Sequence, residues 1–293
     1  MNLGFSRNKL KYSVNEKFFS KWDSQVAYLL GFTYADGNLY KTSLSWDIQV
    51  GDIEFLKRVR KVLKCTYPVA LAHNGLSCRL RINNQVFINR MIKLGLFPKK
   101  LFRYHIPKIP SNFIRHFIRG YLDGDGWIII RKNRNEIDLG FAGATKEFLE
   151  SINELVIQSL NINVGKVRMK NKVTLKNIKS VTYQLEYYSS NAFKIANWIY
   201  QDLDEIDLFL KRKYKTYLQA QKLHQFLSSG IGKTRAIQRS RGESIEQTLR
   251  SLFVDEKLNG VEIAKILNVH SSWVYRWLAR VGIKYPIKRI THG

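Results

Sequence analysis

Two hydrophobic periods alternate along the chain. From Ser24 and again from Asn112, apolar residues recur at helical spacing and stop at Gly37 and Gly126. Each stretch predicts a helix whose following glycine takes the left-handed cap. Strict alternation comes next: "SLSWDIQV" (43–50) and "WIIIRKNRNEIDLGFAG" (127–143) read as strands, the second as a hairpin turning near Lys132 to Asn135. After a helix come further strand pairs in residues 67–82 and 165–188, and then another helix. The predicted unit is helix, two strands, helix, two strands, helix.

That unit occurs twice. "LLGFTYADGNLY" (29–40) matches "IRGYLDGDGWII" (118–129), "GDIEFLKRVRKVL" (51–63) matches "ATKEFLESINELV" (144–156), and "LRINNQVFINRMIKLG" (80–95) matches "LEYYSSNAFKIANWIY" (185–200). Three pairs in the same order predict a duplication with pseudo-two-fold symmetry, one repeat in residues 1–110 and the other in 111–223. A basic helix from Leu208 to Leu223 closes the second repeat, and the Gly, Ser and Arg content of 224–244 reads as a basic linker. Its "GIGKT" is not a phosphate-binding loop, because Leu227 stands where that motif needs its first glycine. Residues 245–293 read as a small all-α domain. In 259–283, Ala264 sits where two helices approach, Asn268 sits at a turn that favours left-handed geometry, and Val274 and Trp277 face a small core. This stretch resembles the helix-turn-helix family. The resemblance implies a recognition helix from Ser271 to Arg280, with His270, Ser271, Ser272 and Arg276 toward base edges.

Charge then narrows the partner. Lys and Arg number 49 against 23 Asp and Glu, a formal charge of +26, so an anionic partner is expected and nucleic acid fits best. No apolar run approaches the roughly 20 residues of a spanning helix, and the basic N-terminus has no apolar stretch after it. Membrane association and secretion are therefore not expected, and the chain is placed inside the cell, in cytoplasm, nucleoid or organelle matrix. Cys65 and Cys78 are too few for a disulfide framework and read as small buried residues. The polar strand faces carry Arg79, Arg81, Arg131, Arg134, Arg168, Lys170, Lys172 and Lys176, the residues for a sheet laid against DNA.

Carboxylates gathered in so basic a chain need a reason. Small residues recur four apart, Ala27, Gly31 and Ala35 in one predicted helix and Gly120 and Gly124 in the other. Such strips let two helix backbones approach closer than the usual 8–10 Å or so. Packed that way, Asp36 and Asp125 would meet at the negative ends of two helix dipoles, an arrangement that calls for a bound cation. Oxygen-only donors suit Mg²⁺, or Mn²⁺, with the backbone carbonyls of Ala35 and Gly124 beside the two carboxylates.

"LLGFTYADG" and "IRGYLDGDG" resemble the two copies of the LAGLIDADG motif, the signature of a family of homing endonucleases. The first acidic position of the motif is Thr33 in one copy and Asp123, read as structural, in the other. The resemblance covers roughly residues 20–223. It implies an α+β, pseudo-symmetric αββαββα core with saddle-shaped antiparallel sheets, acting as a monomer on a long asymmetric double-stranded DNA site. It also implies catalytic Asp36 and Asp125, each assisted by a basic residue: Lys213 in the second half and Lys100 in the first. A DNA-binding regulator that no longer cleaves and an intron RNA maturase are the alternatives on the same fold.

Overall fold

The computed structural model describes residues 11–40, 42–97, 105–131, 136–162, 165–173, 179–201, 203–204, 207–228 and 230–283. They form two compact units, 1–220 and 221–293. No described helix is long and apolar enough to cross a membrane.

The first unit contains the duplication. Its first half runs α1 (Ser24–Asp36), β1 (Gly37–Tyr40), β2 (Ser43–Gln49), α2 (Ile53–Val62), β3 (Val69–Ala72), β4 (Ser77–Ile82) and α3 (Gln85–Lys93). The second half repeats the order with α4 (Ile114–Asp125), β5 (Gly126–Arg131), β6 (Glu136–Gly143), α5 (Lys146–Leu160), β7 (Lys166–Val173), β8 (Lys179–Tyr188) and α6 (Ser189–Tyr200). Each half builds one four-stranded antiparallel sheet with the same topology, β1-β2-β4-β3 and β5-β6-β8-β7. The fold class is α+β, in the order the hydrophobic pattern predicts.

Local chemistry accounts for the element ends. The Asp23 carboxylate caps α1 by accepting the Val26 N–H at 2.7 Å, and Asn84 caps α3 through the Phe87 N–H at 2.9 Å. On β4, Cys78, Leu80 and Ile82 are buried on one face while Arg79 and Arg81 lie on the other, the period-2 signature of a sheet covered on one side only. Both cysteines are buried and free of disulfides.

Two expectations need correction. Gly37 (φ −73°, ψ 128°) and Gly126 (φ −112°, ψ 176°) are extended, not left-handed. Each helix runs directly into a strand, so the joining residue already has strand geometry. Glycine is needed there for space: a Cβ on Gly37 would lie 2.4 Å from the Thr33 carbonyl oxygen, and one on Gly126 2.7 Å from that of Leu122. The stretch read as a linker, 224–244, is largely helical. After α7 (Lys211–Ser228), residues Gly230–Arg241 form α8. Ile237 anchors α8 in the core of the second unit, and that burial outweighs the Gly and Ser content.

The second unit continues with α9 (Ile245–Arg250), a short π-turn, α10 (Gly260–Ile266) and α11 (Ser271–Arg280). Capping boxes start α9 (Ser244 with Gln247) and α10 (Asn259 with Glu262). Its core gathers Leu249, Leu252, Ile263, Trp273, Val274 and Leu278.

Candidate active site and nucleic-acid interface

At the centre of the first unit α1 packs on α4, backbone against backbone. A Cβ on Gly31 would sit 2.1 Å from the Phe117 carbonyl oxygen, and one on Gly120 would sit 2.0 Å from that of Tyr28. The contacts mirror each other, as a pseudo-two-fold requires. Further along, a Cβ on Gly124 would lie 2.3 Å from the Ala35 Cβ and 3.4 Å from both the Asp36 amide nitrogen and Asp36 Oδ2. The two helices therefore end side by side. Asp36 is the last residue of α1 and Asp125 the last of α4, and both are half-buried.

Lys213, on α7, reaches this end of α4. Its Nζ donates to the carbonyls of Leu122 (2.5 Å), Asp123 (2.8 Å) and Gly126 (2.6 Å). All three ammonium hydrogens are thus directed at the carbonyl end of α4, where a cation also balances the dipole. Burial pulls the ammonium pKa down to about 8, against the opposing attraction of Asp123, Asp36 and Asp125.

Asp123 turns out to organise the interior. Its Oδ1 accepts from Tyr200 OH (2.7 Å), and its Oδ2 accepts from Tyr28 OH (2.7 Å) and the Leu210 N–H (2.8 Å). Burial raises its pKa, while Lys213 and the tyrosine hydroxyls favour the charged form. The fully buried Arg119 reaches the same segment, donating to the carbonyls of Ile199 (3.1 Å) and Leu208 (3.2 Å) and pairing with Asp207 at 3.5 Å. Together these bonds fix residues 207–213 against α4 and so hold Lys213 at the site. In the first half, Thr33 replaces Asp123; its hydroxyl accepts the Trp46 indole N–H at 3.1 Å and donates to the Leu29 carbonyl at 2.6 Å. The signal for this network was the acidic residue present in one motif copy and absent from the other. Lys100, the corresponding basic residue of the first half, lies outside the described residues.

Residues 112–199 match the family described as LAGLIDADG-like domain. The matched stretch spans most of the second half of the core, from α4 into α6. One curated relative, the probable translation initiation factor IF-2 of Methanocaldococcus jannaschii, is 25% identical over 210 residues, which are 64% of this chain and 17% of that protein. Among solved structures, the I-LtrWI LAGLIDADG homing endonuclease bound to target DNA is 12% identical at TM-score 0.46, over 79% of this chain and 99% of that one. The LAGLIDADG meganuclease I-AabMI bound to uncleaved DNA is 10% identical at TM-score 0.47, over 75% and 99%. Full-length DUF199/WhiA from Thermatoga maritima is 16% identical at TM-score 0.41, over 91% and 94%.

Each sheet turns one face away from the buried core, and basic residues lie there. Arg79 and Arg81 lie on that face of the first sheet, opposite Asp47 and Ser45 of β2. On the second sheet the open face carries Arg131 of β5 and, on β7, Arg168 opposite Gln184 and Lys170 opposite Thr182. Lys172 is placed by its backbone in β7, whereas Arg134 and Lys176 lie outside the described residues.

In the second unit, Asn268 has φ 50°, the left-handed turn geometry expected of it, and Ala264 and Val274 are buried. His270 caps α11: its Nδ1 accepts the Ser272 N–H at 3.2 Å. Ser272 and Arg276 are exposed one turn apart, with Arg276 Nε donating to the Ser272 carbonyl at 3.2 Å, and Ser271 is half-buried.

Proposed function

We propose that this chain is a site-specific endonuclease that hydrolyses double-stranded DNA with divalent metal ions. The observation that carries the proposal is the pair of half-buried carboxylates, Asp36 and Asp125, set together by a glycine-mediated helix contact at two negative dipole ends. No cluster of three or more His, Cys, Asp or Glu able to hold a metal exists among the described residues. The available donors, two carboxylates with the carbonyls of Ala35 and Gly124, therefore fit an ion that retains water and substrate oxygens, as Mg²⁺ or Mn²⁺ does, rather than a closed protein cage. When bound, such an ion lowers the pKa of an attacking water and offsets charge on the leaving 3′ oxygen.

The chain's own groups do the rest. Asp36 and Asp125 hold the ions and orient water, one for each strand. Lys213 fixes the end of α4 and places a positive charge beside both carboxylates, and Lys100 supplies the basic group of the first half. The open sheet faces, with Arg79, Arg81, Arg131, Arg168 and Lys170, lie along a long asymmetric site. The second unit acts as a helix-turn-helix module whose α11 offers Ser272 and Arg276 to base edges, with His270 and Ser271 at its start. Both half-sites belong to one chain, so it acts as a monomer, inside the cell where DNA is.

A second reading, DNA binding without cleavage, is favoured by one feature. The three donors of Lys213 are directed at backbone carbonyls, which leaves none for a scissile phosphate. Incubating the chain with a randomised duplex library, with and without Mg²⁺, separates the two. Metal-dependent double-strand cuts at an enriched sequence are expected. Enrichment of bound duplexes with no cut under any divalent ion would establish the second reading instead.

A further inference from the structure

The open face of the first sheet carries a carboxylate where a polyanion is to bind. Asp47 lies near its middle, on β2, in a chain with a formal charge of +26. A lone carboxylate there would repel phosphate, so its retention points to a task. Its direct cross-strand partner is Arg79, whose Nε (2.9 Å) and Nη2 both donate to Asp47 Oδ2. Asp47 is itself held, since Ser77 also hydrogen-bonds its carboxylate and the Ser77 hydroxyl lies 2.8 Å from His73 Nδ1. Burial opposes the Asp47 charge, but the bonds from Arg79 and Ser77 outweigh it and keep the carboxyl below its usual range.

This geometry uses one edge of the guanidinium and leaves the other. With Nε and one Nη2 hydrogen committed sideways, the outer edge of the fork, Nη1 with the second Nη2 hydrogen, points along the side chain. That edge has the spacing of the O6 and N7 acceptors of guanine in the major groove. On its other side Arg79 faces Ala70 of β3, which has no side chain long enough to obstruct the fork. The second sheet has a related pair: Arg131 Nε donates to Asp138, whose side chain is 7% exposed while that of Arg131 is 53% exposed. The two acids are not copies of one position. Asp47 follows Trp46, the partner of Gly37, whereas Asp138 lies opposite Ile129, three residues beyond the matching Gly126.

We infer that Asp47 and Asp138 are specificity-determining positioning residues, each holding one edge of an arginine so that the other edge reads a guanine, at different places in the two halves of the site. The inference rests on the DNA-binding reading above and needs no cleavage. Arg81 supplies the contrast, since it is exposed and faces Ser45, a placement suited to phosphate contact.

Selection of bound duplexes from a random pool, without Mg²⁺, tests it with the full chain and its Asp47→Ala, Asp47→Asn, Arg79→Ala and Asp47→Ala/Arg79→Ala variants. The expected result is one base pair where Arg79→Ala erases a guanine preference and Asp47→Ala lowers that same preference by about tenfold. Asp47→Asn should fall between, and the double variant should match Arg79→Ala. Preferences elsewhere should hold, and binding to unselected DNA should stay level or rise, since a negative charge is gone. An Asp47→Ala chain that keeps the Arg79-dependent guanine, or loses preference evenly at every position, overturns the inference while leaving the DNA reading intact. A wild-type chain that enriches no sequence overturns the DNA reading, and the inference with it.

Discussion

Substituting Gly31 by alanine strikes at the contact on which the site depends. The new Cβ would lie 2.1 Å from the Phe117 carbonyl oxygen and 2.9 Å from its carbon. Both are backbone atoms of a buried helix, so no side chain can swing away. Restoring an ordinary contact would require α1 and α4 to part by about 1.3 Å. Alanine is the better helix former by about 1 kcal/mol, whereas overpacking of a rigid core costs about 1–3 kcal/mol, and this immovable site should lie at or beyond the upper end. A net loss of about 2 kcal/mol should lower the melting temperature of a unit of this size by about 4–8 °C. Circular dichroism melts measure it, with Gly51→Ala as the control, since a Cβ there meets nothing within 4 Å and should change stability by less than about 0.5 kcal/mol. Parting the helices also parts Asp36 from Asp125, and a displacement of about 1 Å should slow cleavage about a hundredfold. A Gly31→Ala chain that melts at or above the wild-type temperature would refute the backbone-to-backbone packing.

Asp123→Ala should cost about 3–5 kcal/mol in urea denaturation, because it strands the hydroxyls of Tyr28 and Tyr200 and the Leu210 amide in the interior and removes the carboxylate that most favours the charged form of Lys213. Burial and the neighbouring Arg119 and Arg115 hold the His116 pKa down at about 4, against 6.5 for the free side chain. The unfolded chain therefore takes up a proton first as pH falls, so stability should drop by about 3 kcal/mol between pH 6.5 and 4, and His116→Gln should flatten that slope. In the second unit, Asn268→Val should destabilise by about 1–2 kcal/mol because a β-branched residue resists φ 50°, while Asn268→Gly should be near neutral; thermal melts compare them.

Much of the core was legible in the sequence because its faces differ sharply. The alternation of buried Cys78, Leu80 and Ile82 with Arg79 and Arg81 is a period-2 pattern that survives folding unchanged, and the repeat doubled every such signal. The small-residue strip exposed the helix contact for the same reason, since only close backbones need Gly31 and Gly120. Other features depend on partners distant in the chain. Nothing local marks Arg119 as buried or Lys213 as bonded to carbonyls about ninety residues before it, because those contacts exist only once α7 lies against α4. The glycines after α1 and α4 misled because they mark a lack of space at a helix-to-strand junction, not a left-handed turn. The helix α8 was hidden by Gly230, Gly232 and the basic residues, and an apolar anchor such as Ile237 is too brief a pattern to read.

The central claim is that one carboxylate from each half serves one strand of bound DNA. Strand-resolved cleavage of an end-labelled, selected duplex in Mg²⁺ by the wild-type chain, Asp36→Asn and Asp125→Asn tests it most directly. The account predicts that the wild type cuts both strands, that chelation stops it, and that each variant loses double-strand scission while still binding the duplex. Either variant cutting both strands at the wild-type rate would contradict it.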